Sequence, residues 1–368
     1  LAAAIKTDGS LLTWGKLYES GNSSDGSYTY KIQTVPTIFI NTDVKSVSSG
    51  YMHHAVVKTD NSMWMWGRQY CGEFGNSSTI GSAVPVKVAD DVKLVSAGGQ
   101  STAIIKADGT LWVCGRNDFG QVGDSSVIPR ASFVHIMDNV ASAVSGWCVT
   151  YAITQDGDLW AWGRNDKGQL GDGTLIDKWE PVKVLENVAI VNSAKTSCNM
   201  AAAIKDDGTL WVWGCNQPFP TEIDNDVISV AVGDSYIEYA KEDGSLWGYG
   251  NNDFGQLGDG TTTTISVPTQ FVDDAKTIVS GGENTLANKS DGSVWAWGRN
   301  YYGVLGDGSI PSAAAYNANP QLIIEGRSSG VLTGVACNRP LVSMLKDTRR
   351  VLAIEPIPLN AVYESLEW

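Results

Sequence analysis

The stretch "LWAWGRNDKGQLGDGT", Leu159 to Thr174, recurs along the chain, and that recurrence limits the fold more than any other feature. Near-copies stand at 246–261 ("LWGYGNNDFGQLGDGT"), 294–309 ("VWAWGRNYYGVLGDGS"), 111–126 ("LWVCGRNDFGQVGDSS") and 63–78 ("MWMWGRQYCGEFGNSS"). Weaker copies are "LLTWGKLYESG" at 11–21 and "LWVWGCNQPFP" at 210–220. The glycines that end the Trp stretch, Gly15, Gly67, Gly115, Gly163, Gly214, Gly250 and Gly298, follow one another at 36 to 52 residues. A period of this size marks stacked supersecondary units, each burying its apolar face only against the next.

Each unit repeats one grammar. A short apolar strand such as "VKLVSAG" (92–98) is followed by a variable turn and a second strand such as "TAIIK" (102–106). An Asp-Gly pair comes next, as at Asp108-Gly109 and Asp156-Gly157, and then the Trp strand. Asp-Gly between alternating apolar runs signals a tight hairpin, because the turn needs positive φ. Three to four short strands in each unit, with no helical periodicity, predict an all-β fold, a seven-bladed β-propeller. Trp160 and Trp162 are two apart and share a face of their strand, which is expected to pack on the neighbouring blade.

The whole chain, 1–368, reads as one domain, with units ending near 15, 67, 115, 163, 214, 250 and 298 and a degenerate unit over 331–354. The chain begins mid-unit, so two closures remain open. Either the two ends jointly complete a seventh blade, the preferred reading, or a degenerate eighth blade follows. The start at "LAAAIK", with neither Met nor a cationic leader, suggests a piece of something longer.

Trp-Gly followed by Asn-x-x-Gly-Gln-Leu-Gly-x-Gly at this period resembles the regulator-of-chromosome-condensation repeat family, of the bacterial type, over nearly the whole chain. The resemblance implies a seven-bladed propeller. In the founding nuclear members it implies nucleotide exchange on a small GTPase and docking on chromatin, through an inserted wedge and a basic tail. No such insertion stands out here. The plant ultraviolet-B photoreceptor of the family uses a recurrent Gly-Trp-Arg-His-Thr, and here only "GWCVT" (146–150) comes near it. Acidic bacterial surface proteins carry such arrays too, and one secreted member inhibits β-lactamases through aromatic residues on one rim.

Charge narrows the partners. The net charge is −14, from 26 basic and 40 acidic residues, and the longest basic cluster is Arg349-Arg350. Nucleic acid is therefore not an expected partner, since that binding is driven by Lys and Arg on phosphates. No run of about 18 apolar residues would insert into a membrane. Motifs for a metalloprotease, a serine hydrolase, a phosphate loop or an EF-hand are missing from the sequence, so neither an enzyme nor a cofactor or metal site is expected. His53 and His54 are adjacent in a strand and face opposite ways, and His135 reads as a satisfied half-buried imidazole. The six scattered cysteines read as small buried thiols, with one or two disulfides left open. Asp124, Asp172, Asp259 and Asp307 ring one side, where they read as turn acceptors rather than cation or sugar ligands.

The constant residues are explained by the scaffold, so function is sought where the copies differ. The variable turn after the first strand offers Tyr51, Met52, Trp147 and Tyr236, with Glu283 and Arg339 beside them. The variable loop after the Trp strand offers Tyr70, Phe119, Lys167, Phe254, Tyr301 and Tyr302. Aromatic residues among polar neighbours match the make-up of protein-binding hot spots. The expectation is a monomeric, non-catalytic interaction scaffold of an exported or surface bacterial protein, binding a protein through one rim. A nucleotide-exchange regulator and a glycan-binding module are the alternatives, and cytoplasm is the alternative compartment.

Overall fold

A computed structural model describes residues 1–22, 27–194, 200–309, 312, 315–326 and 332–337. These residues form seven antiparallel four-stranded sheets, each a simple meander. In blade 4 the strands run from the inner Val140–Ser145 through Val149–Thr154 and Leu159–Gly163 to the outer Lys178–Leu185. Blade 2 runs from Val44–Ser49 to Ser82–Ala89, blade 3 from Val92–Ala97 to Arg130–Met137 and blade 5 from Val188–Ser193 to Gln217–Asp224. Blade 6 runs from Val227–Val232 to Ile265–Val272, and blade 7 from Ala275–Ser280 to Tyr316–Ile324.

The ring has seven blades, and both chain ends build the first. Its inner strand is Leu332–Cys337, paired antiparallel with Ala2–Lys6 in the register Ala2↔Cys337 to Ile5↔Gly334. The Trp strand Leu11–Asn22 and the outer strand Ser27–Ile40 complete it. The segment expected to form a degenerate unit thus supplies an inner strand. Its remainder, Arg339 included, lies outside the described residues.

The core is divided into seven apolar clusters, one at each junction between neighbouring blades. The 3/4 junction holds Leu111, Val113, Val122, Val140 and Trp162, and the closing 7/1 junction holds Val279, Leu286, Leu305, Ala4 and Trp14. The second Trp of each pair is fully buried, and those of blades 4, 5 and 7 donate their indole N–H to a loop carbonyl of the preceding blade, whereas the enclosed Trp66 N–H has no partner among the described residues. Trp162 reaches Gln121 at 3.1 Å, Trp213 reaches Gln169 at 2.9 Å and Trp297 reaches Gln256 at 2.8 Å. The first Trp is only half-buried. Trp112 donates to Thr110 Oγ1 in its own hairpin at 2.9 Å and lies under Lys106, and Trp64, Trp211, Trp247 and Trp295 repeat that cap with Ser or Thr. Trp160 departs from the pattern: Asp158 stands at the hydroxyl position, and the buried indole N–H has no partner. Gly163 is required where the strand leaves for the loop. Its φ is 110°, and a Cβ there would lie 2.3 Å from the Cys148 carbonyl oxygen.

Among the described residues no helix is long and apolar enough to cross a membrane. Cys71, Cys114 and Cys148 are free thiols, but of these only Cys114 and Cys148 are buried, and Cys215 is exposed. Cys198 lies outside the described residues.

Candidate functional site

The meander assigns the loops to two faces. Turns between the first two strands and loops between the last two share one end of each blade, called here the loop face. The Asp-Gly turns lie at the opposite end. All the candidate positions therefore gather on the loop face, provided their side chains are exposed.

The constant part of each loop is closed on itself. In blade 4 the buried Asn165 amide donates to Asp172 Oδ1 at 2.9 Å and to the carbonyls of Thr174 and Ile176, while its Oδ1 accepts the Leu170 N–H. Leu170 is fully buried beneath it. Asp172 also accepts the Thr174 N–H and hydroxyl, and Asp124, Asp259 and Asp307 do the same work in their turns. Desolvation opposes ionisation at Asp172, but those hydrogen bonds and nearby Lys178 hold its carboxyl below its ordinary range. The acids are thus occupied by their own turns. Among the described residues no group of three or more His, Cys, Asp or Glu could hold a metal ion.

The three histidines are likewise engaged. His53 Nε2 is 3.0 Å from Thr102 Oγ1, His54 stacks on Trp66, and His135 meets Asp138 at 2.9 Å. His135 is more exposed than expected, because its strand is the outer one.

The variable residues behave differently. Tyr51 meets Trp147 edge-on at 5.2 Å, across the Gly98-Gly99 turn of the blade between them. A Cβ on Gly99 would strike Trp147, so that glycine admits the ring. Met52 Sδ accepts from the Tyr30 hydroxyl at 3.4 Å and from Arg68 at 3.6 Å, and Arg68 lies over Tyr70. Across the ring, Arg299 lies over Phe254 at 4.4 Å and Tyr301 at 5.1 Å, and it pairs with Glu283. Tyr301 packs on Tyr302, and Lys16 spans from Tyr302 to Tyr30. A continuous band of rings and cations thus runs from Phe254 through blades 7 and 1 to Tyr70 in blade 2. Phe119, under Arg164, forms another such pair, and Lys167 is exposed on blade 4.

Tyr236 does not belong to this face. It is fully buried, and its hydroxyl reaches Ser280, the Asn284 carbonyl and Thr285 of blade 7. The register Tyr236↔Gly250 makes it the first residue of a strand, like Ser101 opposite Gly115, and not part of the turn.

Three features were not foreseen. Blade 1 carries an insertion: its last two strands are 12 and 14 residues, and they stay paired beyond Gly15↔Gln33 out to Asn22↔Ser27 as a two-stranded ribbon. The alternation in "SYTYKI" is its trace in the sequence. Lys16 and Tyr30, at the ribbon's base, join the band. Trp179 and Phe219 are large exposed residues on the outer strands of blades 4 and 5, against the loop glycines Gly120 and Gly173 of the preceding blades.

Tyr302 carries backbone strain, with φ at 113°. In blades 3, 4 and 6 a Gln side chain accepts the matching N–H, as Gln121 does from Phe119 at 2.9 Å, but blade 7 has Val304 there. Tyr302→Gly relieves that strain and is expected to change stability by no more than about 1 kcal/mol, despite the lost ring. Phe254→Gly relieves nothing and is expected to cost about 2 kcal/mol. Urea unfolding of the two variants checks the difference.

Sequence and structure comparisons agree with this architecture. Two family profiles, both described as the regulator of chromosome condensation (RCC1) repeat, match residues 156–199, 243–287 and 291–338, and residues 44–73, 92–121, 140–169 and 275–304. Together they span more than half of the chain. The chain belongs to the RCC1 repeat family. Human WBSCR16 is similar in structure, with a TM-score of 0.74 at 19% identity, covering 94% of this chain and 99% of that one. Prp20p from Saccharomyces cerevisiae, studied with its binding to Gsp1p and histones, gives 0.72 at 16% identity with 94% of each chain covered. Yeast RCC1 (Prp20) bound to Kap60 gives 0.70 at 16% identity, covering 92% and 90%. No curated protein matches in sequence. At these identities the likeness to solved structures shows the RCC1-type propeller alone.

Proposed function

We propose that this RCC1-type propeller is a non-catalytic interaction scaffold that binds a protein partner on its loop face, through the band from Phe254 to Tyr70 and the Tyr51–Trp147 pair. One observation carries the reading. The repeated part of each loop spends its polar groups internally, whereas the variable aromatic residues of blades 6, 7, 1 and 2 join into one surface held by cations. Cation–π contacts hold the rings in place before binding, which lowers the ordering cost. No nucleophile or acid–base pair is set by the repeat. The acidic charge and the resemblance to bacterial surface arrays favour an exported or cell-surface setting, which protease shaving of intact cells would test.

Replacing Trp147, Tyr301 and Tyr302 together by Ala is expected to abolish partner capture while the melting curve stays cooperative. Capture at wild-type strength by the folded variant would remove these residues from the interface. The second reading, nucleotide exchange on a small GTPase, is favoured by the ribbon of blade 1, an inserted element on the same face. It predicts faster nucleotide release from a candidate GTPase, lost when the ribbon is shortened to the length of the other loops.

A further inference from the structure

The repeat grammar breaks in several ways at one place. Blade 7 replaces the loop Gln by Val304 and turns Tyr302 into a strained conformation; blade 1 replaces its loop by the ribbon; and the Arg that follows the strand glycine in blades 2, 3, 4 and 7 is Lys16 in blade 1. These changes meet at Lys16. Its ammonium lies 3.8 Å from the Tyr30 ring centre and 4.4 Å from that of Tyr302. Among the described residues it makes no ion pair, although the protein carries a net charge of −14. The titratable neighbours it feels are Tyr301, a neutral phenol at ordinary pH, and Arg68, another cation. Glu73, beneath Arg68, is buried and already accepts the N–H groups of Tyr70 and Cys71. Burial lowers the Lys16 pKa, so its charge is partly desolvated, with no counter-ion among the described residues. The π faces stabilise the ammonium from within, but a partly dry cation gains most from a carboxylate.

We infer that Lys16 is the anchor for a side-chain carboxylate of the protein partner, an Asp or Glu on an acidic segment lying across Tyr302 and Tyr30. The inference rests on the loop-face reading and names the partner's chemistry there. A carboxylate suits the place better than a nucleic-acid backbone, because Lys16 offers one ammonium and its cationic neighbour Arg68 already engages Met52 and Tyr70.

The test uses the whole chain and an amidated hexa-glutamate peptide as probe, with hexa-lysine and oligo-thymidylate as controls, by titration calorimetry at low salt. The peptide is expected to bind, to weaken as salt rises, and to lose about tenfold or more in affinity with Lys16→Met, which keeps the apolar stem. Lys16→Arg is expected to stay within about threefold, since the charge remains. No heat with the acidic peptide, equal affinity of Lys16→Met and wild type, or tighter binding of either control would overturn the assignment. Should the acidic peptide fail while the Trp147, Tyr301 and Tyr302 variant still loses partner capture, the Lys16 assignment falls and the loop-face reading stands.

Discussion

Glu238→Gln is expected to stabilise the propeller by about 3–5 kcal/mol at about pH 9 and to change little at about pH 4. Glu238 is fully buried at the junction of blades 6 and 7, in a position held by Ala55, Ala103 and Ala202 in other blades. Space for it comes from Gly248, directly opposite in register, where a Cβ would come within 3.0 Å of the glutamate Cγ. Its oxygens accept only the Thr285 hydroxyl at 2.5 Å and the Trp297 indole N–H at 3.3 Å, and among the described residues no cation pairs with it. Burial pushes its pKa from 4.5 up to about 8. The sign follows from proton binding. Between 4.5 and about 8 the folded carboxyl keeps a proton that the unfolded chain has lost, so stability falls as pH rises through that window and stays low above it. Glutamine keeps one acceptor, and its amide donates to Thr285 Oγ1, which passes its own proton to the Gln256 carbonyl. Denaturant unfolding of both proteins across this pH range checks it; parallel profiles would contradict it.

Trp162→Ala is expected to cost about 3–5 kcal/mol, and Trp160→Ala about half of that. Both rings lie on one face of the strand, but only Trp162 is fully enclosed by the loop and strands of blade 3. Its removal leaves a cavity against Val122, Leu111 and Val113 and takes one donor from the Gln121 carbonyl, which keeps Thr150. Trp160 is half-exposed and already has an unpartnered N–H, so less is lost. Equal losses in chemical denaturation would show that the two positions share one role.

What was legible in the sequence is what physics imposes repeatedly. Gly163 betrays itself because all seven blades turn the backbone there, and Leu170 and Asn165 because five of them must also bury an apolar side chain and satisfy a loop at that place. The closing of the ring was legible only as a choice, since the strand 332–337 has no Trp-Gly ending, and the pairing with Ala2–Lys6 decides it. The site was half-legible. Variation placed Tyr51, Met52, Trp147, Tyr301 and Tyr302 together on the loop face, but it cannot separate an exposed ring from one like Tyr236 that fills a junction. Lys16 and Tyr30 stayed hidden because their partners are remote: the band depends on blades 7, 1 and 2 meeting, and no spacing along the chain records that. Trp179 and Phe219 sit in outer strands whose alternation does not say which neighbour's loop covers them.

The central claim is that a protein partner sits on the loop face, centred where blades 7, 1 and 2 meet. Hydrogen exchange of the protein alone and with its captured partner tests this most directly. Slowed exchange is expected in the turn 50–52, in 68–72, at 146–148 and in 299–303, with the Asp-Gly turns at 108–109, 156–157 and 207–208 unchanged. Protection confined to the Asp-Gly face, with the loop segments exchanging as in the free protein, would contradict it.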